Sequence, residues 1–357
     1  MITHGMVGAK AFRPTRPGHG PHVDGERSAV VVVAMGADAA AAVLPAELRT
    51  RLGECAEPFP GVFTGPLTTP EARVALGGAG ILLTGWGCPA LTEDVLGAAP
   101  RLWAVVHAAG SVKSLVTEAV WGRGIVVSSA ADVNAGPVAD FTLAAIVFAA
   151  KGALPTAAAY ASGWPAFRDR QGADSRTIGV IGASRVGRRV MAGLRASAAG
   201  FRILLHDPYV SAAEAAALGA ESVSAADLCR SADIVTVHAP ETPETRHLLG
   251  AGQLALIRDG GTVINTARGS LVDTEALTRE CAAGRLGAFL DVTDPEPLPA
   301  GHRLLSLPNV LVTPHIAGAQ GSEARRLGAF AVEEVARLVR GEPLLGQVVR
   351  DDLGRLA

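Results

Sequence analysis

The stretch TIGVIGASRVGRRV, from Thr177 to Val190, joins a short apolar run to a helical pattern through a glycine turn. Residues of these types at this spacing suit one task, which is holding the pyrophosphate of a dinucleotide. A helix N-terminus offers unpaired N–H groups and a partial positive charge to a phosphate. Gly182 permits the tight turn after the strand, and Gly187 lets the helix pack closely on the sheet. The pattern G-x-G-x-x-G places a glycine at 184, where this chain has Ser184. If that position demands a positive φ, serine costs roughly 1 kcal/mol. If it does not, the hydroxyl can donate to a phosphate oxygen. The next apolar run ends at Asp207, about 20 residues beyond Gly187, where an acid accepts hydrogen bonds from ribose hydroxyls and repels a 2′-phosphate. The expected cofactor is NAD rather than NADP.

Such a turn needs a parallel sheet behind it. AVVVVAMG (29–36), GILLTGWG (80–87), LWAVVHAAG (102–110) and GIVVSSA (124–130) read as strands buried on both faces, with helices between them. NAGPVADFTLAAIVFAAKG (134–152) reads as a long apolar helix. The alternation then resumes with TIGVIGA, RILLHDP, DIVTVHAP, GTVINTAR, AFLDVT and NVLVTPH as further strands. Two parallel α/β domains result, and an amphipathic helix within 321–342 is expected to return and pack on the first. Residues 1–26, rich in Gly, Pro, His and Arg, read as a disordered tail.

Composition excludes several classes. Hydrophobic residues make up 49% of the 357, enough for a sizeable core, and the formal charge is −2 with no Lys/Arg run. That argues against a nucleic-acid or anionic-membrane surface. The run Phe141–Ala150 is short for a membrane span and ends at Lys151, so a buried helix is expected. Cys55, Cys88, Cys229 and Cys281 are scattered, which suggests neither disulfide nor zinc, and no metal is expected. No signal-peptide order opens the chain. Lysine occurs only at 10, 113 and 151 among 32 basic residues, and with the abundant alanine and glycine this suggests a GC-rich bacterial source. The expectation is a soluble cytoplasmic protein.

INTARGSLVD (264–273), LDVTDPEPLP (290–299) and NVLVTPHIAG (309–318) follow the glycine turn in order. They resemble the three signatures of the D-isomer-specific 2-hydroxyacid dehydrogenase family, which includes phosphoglycerate dehydrogenases and glyoxylate/hydroxypyruvate reductases. The resemblance runs from about 80 to 345. It implies a flavodoxin-like substrate domain (27–132 with 316–350) and a Rossmann NAD-binding domain (133–315), with a cleft between them and a homodimer formed through the cofactor domain. It also implies a catalytic set of Arg268, Glu296 and His315. The chemistry is coherent: imidazole titrates near neutrality and can give or take a hydroxyl proton. A neighbouring carboxylate stabilises the imidazolium, and a guanidinium fork can hold a substrate carboxylate.

By the same resemblance Asp291 holds the nicotinamide carboxamide. Arg185, Val186, Pro240, Thr245, Thr266 and Ala267 fall at cofactor-contact positions. The substrate carboxylate falls to Ala109, Gly110 and Ser111 in HAAGSVKS, where many members have Gly-Val-Asp-Asn and this chain has Gly110, Ser111, Val112 and Lys113. Phosphoglycerate dehydrogenases tend to have arginine and serine where Trp86 and Gly87 stand. A phosphate needs a cation or several donors, so Trp86 favours a non-phosphorylated substrate with an apolar or aromatic tail, unless it only packs in the core or hinge. Formate dehydrogenases share the fold but can pair the histidine with glutamine, and Glu296 favours acid/base work on a hydroxyl. The alternative reading is an NAD(H)-sensing binding protein of corepressor type, which retains a similar set of residues.

Overall fold

A computed structural model describes residues 28–355; the segment expected to be a disordered tail lies outside them. Runs of aliphatic and β-branched residues build two sheets. In the first, β1 (Val30–Ala34), β2 (Glu57–Pro58), β3 (Ile81–Thr84), β4 (Ala104–His107) and β5 (Val126–Ser129) lie parallel in the order β2-β1-β3-β4-β5. In the second, β6 (Thr177–Ile181), β7 (Arg202–His206), β8 (Glu221–Ser222), β9 (Ile234–Val237), β10 (Thr262–Asn265), β11 (Gly287–Leu290) and β12 (Val310–Val312) are all parallel, in the order β12-β11-β10-β9-β6-β7-β8. Every residue of β3, β4 and β9 is buried, as expected for strands covered on both faces. These are the doubly wound orders expected from the sequence. Each sheet has a point where the strand order reverses, and ligands bind beyond the carboxyl ends of the strands there.

One edge departs from the all-parallel expectation. β13 (Gln347–Val348) returns antiparallel to β5. Two residues are too few to show a pattern in sequence, and the pairing is held by a buried acid. The Glu334 carboxylate accepts the Ser128 hydroxyl at 2.5 Å and the N–H groups of Leu345 and Gly346 at 3.0 Å. Glu334 lies on the helix Ala324–Arg340. That helix packs Ala331, Val332 and Val335 against Val31, Ile81 and Val106 of the first sheet.

The apolar helix runs Ala131–Ala150, starting earlier than the 134 expected. Pro137 lies inside the helix, within its first two turns. The helix is long and apolar enough to cross a membrane by length and composition. Its inner face nevertheless belongs to the second domain's core: Ala139, Ile146 and Ala150 pack with Ile178, Val190 and Met191. It leaves the first sheet directly after β5 and so carries the chain from one domain into the other.

Candidate active site

The glycine turn answers the question that Ser184 raises. Gly182 has φ +95°, and a Cβ there would sit 2.6 Å from the Ala239 nitrogen, so both the turn and its packing require glycine. At Gly187 a Cβ would fall 2.2 Å from the Gly182 carbonyl oxygen, so only glycine lets the helix Arg185–Ala196 press on the strand end. Ser184 has φ −62°, where any residue is at ease. It caps the helix, its hydroxyl oxygen accepting the Gly187 N–H at 3.3 Å. Helix geometry leaves the Arg185 and Val186 N–H groups without intrahelical acceptors, and among the described residues the Arg185 side chain has no ion-pair partner. The Asp207 carboxylate accepts from the Ala183 N–H at 2.7 Å and the Tyr209 N–H at 2.8 Å, which fixes it beside the turn. A tight glycine turn, two uncommitted N–H groups, a cation and a ribose-type acid fit a dinucleotide.

His315 and Glu296 meet: Nδ1 lies 2.8 Å from the glutamate Oε1. The carboxylate can only accept, so Nδ1–H donates and Nε2 is left for other work. Both side chains are about half exposed. His315 is held at φ +55°, in the left-handed region. Its turn is pinned by Asp291, whose carbonyl accepts the His315 N–H at 2.9 Å. The Asp291 carboxylate takes the Thr313 hydroxyl at 2.6 Å and the Ile316 and Ala317 N–H groups at 2.8 Å. Buried Asp291 therefore anchors the turn that carries His315, a role that the resemblance alone did not suggest.

Arg268 enters from the end of β10. Asn265 shapes that loop, its Oδ1 accepting the Ala267 N–H at 3.0 Å and its Nδ2 donating to the Arg268 carbonyl at 2.7 Å. The next residue, Gly269, sits so close to the Thr293–Asp294 backbone that a Cβ would lie 1.9 Å from the Thr293 oxygen. The arginine turn and the segment leading to Glu296 are thus locked together. Arg268 Nη1 donates to the Ala267 carbonyl at 2.6 Å, and its other N–H groups have no partner among the described residues. Neither Asn265 nor Asn134 was singled out from the sequence. Asn265 had a signal, an asparagine at a strand end with the capacity for a local side-chain turn. Asn134 had none, because its partners are far away in the chain: its Oδ1 accepts the Ala319 N–H at 2.9 Å, and its Nδ2 would be 3.2 Å from a Cβ at Gly110.

Other expected residues are placed as follows. The Thr266 hydroxyl is buried against that of Thr142 at 2.8 Å, so it points into the domain. Thr245 donates to the Pro240 carbonyl at 2.7 Å, closing the loop after β9. Buried Ala109, then Gly110 and Ser111, follow β4 at the carboxyl edge of the first sheet. The Lys113 N–H donates to the Ser111 hydroxyl at 3.3 Å. Trp86 follows β3 at the same edge and is 39% exposed, so it is not a core residue. His107 is interior: its Nδ1 lies 2.9 Å from the Thr84 hydroxyl, and burial pushes it down to about 4. His238, after β9, is likewise pushed by burial to about 3, with Nε2 2.9 Å from the Thr236 hydroxyl. Among the described residues, no cluster of His, Cys, Asp or Glu suits a metal.

Residues 143–317 match the family model described as the D-isomer specific 2-hydroxyacid dehydrogenase NAD-binding domain. A D-3-phosphoglycerate dehydrogenase of Methanocaldococcus jannaschii is 36% identical over 79% of this chain and 53% of its own length. The chain thus spans about half of that relative. An (S)-sulfolactate dehydrogenase of Chromohalobacter salexigens is 32% identical over 77% of this chain and 90% of its own. Among solved structures, a protein of Thermus thermophilus superposes with a TM-score of 0.69 at 33% identity, covering 90% of this chain and 99% of that one. With the glycine turn, Asp207 and the paired His315 and Glu296 in place, the cofactor is NAD, and the chain belongs to the D-isomer-specific 2-hydroxyacid dehydrogenase family.

Proposed function

We propose that the protein interconverts a 2-oxo acid and a D-2-hydroxy acid by NAD-dependent hydride transfer, with His315 as the acid/base. The observation that carries this reading is the 2.8 Å contact between His315 Nδ1 and Glu296 Oε1. When bound, the dinucleotide supplies the hydride for the carbonyl carbon. Glu296 holds the proton on Nδ1, so Nε2–H is the group that protonates the carbonyl oxygen, and Nε2 takes the proton back in oxidation. The carboxylate stabilises the imidazolium required for reduction. Arg268 grips the substrate carboxylate with the N–H groups that Ala267 leaves over. Backbone N–H groups of Ala109–Ser111 complete that grip. Closure of the two domains on the cleft excludes water.

Trp86, exposed at the same sheet edge, supports a non-phosphorylated substrate, since its single N–H serves a phosphate poorly. The relative named (S)-sulfolactate dehydrogenase supports a hydroxy acid without a phosphate ester. The working unit is a cytoplasmic homodimer joined through the cofactor domain, where Phe148, Tyr160, Trp164 and Phe167 stand exposed on and after the apolar helix. A light-scattering mass near twice 36.4 kDa is expected, and a monomer mass contradicts it. The function is tested by NADH consumption with a panel of 2-oxo acids. Turnover of at least one supports it. Tight NADH binding without oxidation by any panel member favours the corepressor-type alternative.

A further inference from the structure

The cleft carries more positive charge than a simple 2-oxo acid needs. A small pocket is lined by Gly110, Ser111, Lys113, Ser129, Arg185 and Leu353, among others. It brings the substrate loop of the first domain against the glycine turn of the second. Two cations, Lys113 and Arg185, face it. Arg268 is a third cation near Lys113: burial lowers the lysine's proton affinity most, the Arg268 charge lowers it further, and Glu241 opposes both. None of the three forms an ion pair with a carboxylate among the described residues. Lys113 reaches across the cleft, but its Nζ donates to the backbone carbonyl of Glu241 at 3.0 Å. The Glu241 carboxylate is engaged elsewhere, accepting the Ser270 hydroxyl at 2.5 Å.

The charges can be assigned in turn. Arg185 and the helix end beside it face the dinucleotide pyrophosphate. Arg268 faces the carboxylate of the 2-oxo acid. Lys113 is left with two N–H donors, partly buried and without a counter-ion. Those donors are open to an anion in the bound state.

We propose that Lys113 is a specificity residue that pairs with a second acidic group on the substrate, so that the preferred 2-oxo acids carry a carboxylate or sulfonate on the tail. This rests on the 2-oxo acid reading above. An ammonium on a flexible stem meets a tail anion as a point charge, whereas Arg268 offers the planar fork that suits the 2-oxo carboxylate.

The test compares kcat/KM for pyruvate and 2-oxobutyrate with that for oxaloacetate, 2-oxoglutarate, 3-sulfopyruvate and 3-phosphohydroxypyruvate. The wild type should prefer one of the doubly acidic compounds by at least tenfold. Lys113→Met should lower that preference by at least tenfold, and Lys113→Arg should retain most of it. A wild type that favours the singly charged acids overturns the inference and leaves the dehydrogenase intact. An equal loss for both groups in Lys113→Met assigns the lysine to holding the cleft shut and also overturns it. A best substrate bearing phosphate supports the second anion but removes the non-phosphorylated reading. No turnover with any compound overturns both proposals.

Discussion

At the residue scale, the proposed catalysis turns on what holds one imidazole. Glu296 decides which ring nitrogen is available, and Asp291 decides where the ring stands, since three donors around residues 313–317 converge on its carboxylate. Left-handed backbone at a non-glycine residue is strained, and His315 persists there because that anchor over-determines the turn. Replacing His315 with alanine removes the proposed proton donor but touches nothing in the glycine turn. We expect kcat to fall about 10²–10⁴-fold, with NADH affinity, measured by fluorescence titration, within a few-fold of wild type. An unchanged kcat would take His315 out of the mechanism.

At the scale of elements, the glycine turn was legible and its anomaly was not. Sequence supplies Gly182, Gly187 and Asp207 at their spacing, but it cannot say whether position 184 needs a positive φ. The observed −62° makes serine an ordinary helix cap. Ser184→Gly should therefore change NADH affinity by less than about tenfold, or about 1.4 kcal/mol. Gly187→Ala should weaken it by more than tenfold, because its Cβ would press on the Gly182 carbonyl. Fluorescence titration of both variants checks this, and a large gain in Ser184→Gly would show that serine obstructs the pyrophosphate. The long buried strands were readable because each is a continuous apolar run between turn residues. β2, β8 and β13 were missed because two-residue strands show no period. The anchoring role of Asp291, and Asn134 and Glu334 altogether, were hidden for a different reason: their partners lie beyond local sequence, and only the fold brings them into reach.

At the scale of the whole molecule, two sheets set their carboxyl edges toward one cleft, and the interior they share with their helices contains two neutral histidines. Burial holds His107 at about 4 and His238 at about 3, against 6.5 when unfolded. The unfolded chain therefore binds more protons below 6.5. The stability these residues contribute is complete above 6.5 and is lost as pH falls toward about 4 and about 3. At about pH 5.5 each histidine should cost on the order of 1 kcal/mol. Urea midpoints at pH 7.5 and 5.5 check this, and His107→Gln should flatten the dependence; an identical slope in that variant would contradict it. The central claim is that this cleft moves a hydride onto a 2-oxo acid under the control of His315. The most direct measurement is deuterium transfer from NADH labelled at nicotinamide C4, with the product read by mass spectrometry. The account predicts deuterium at C2 of the hydroxy acid with the wild type and almost none with His315→Ala. NADH bound by the wild type with no label in any product, or label transferred equally by both proteins, would contradict it.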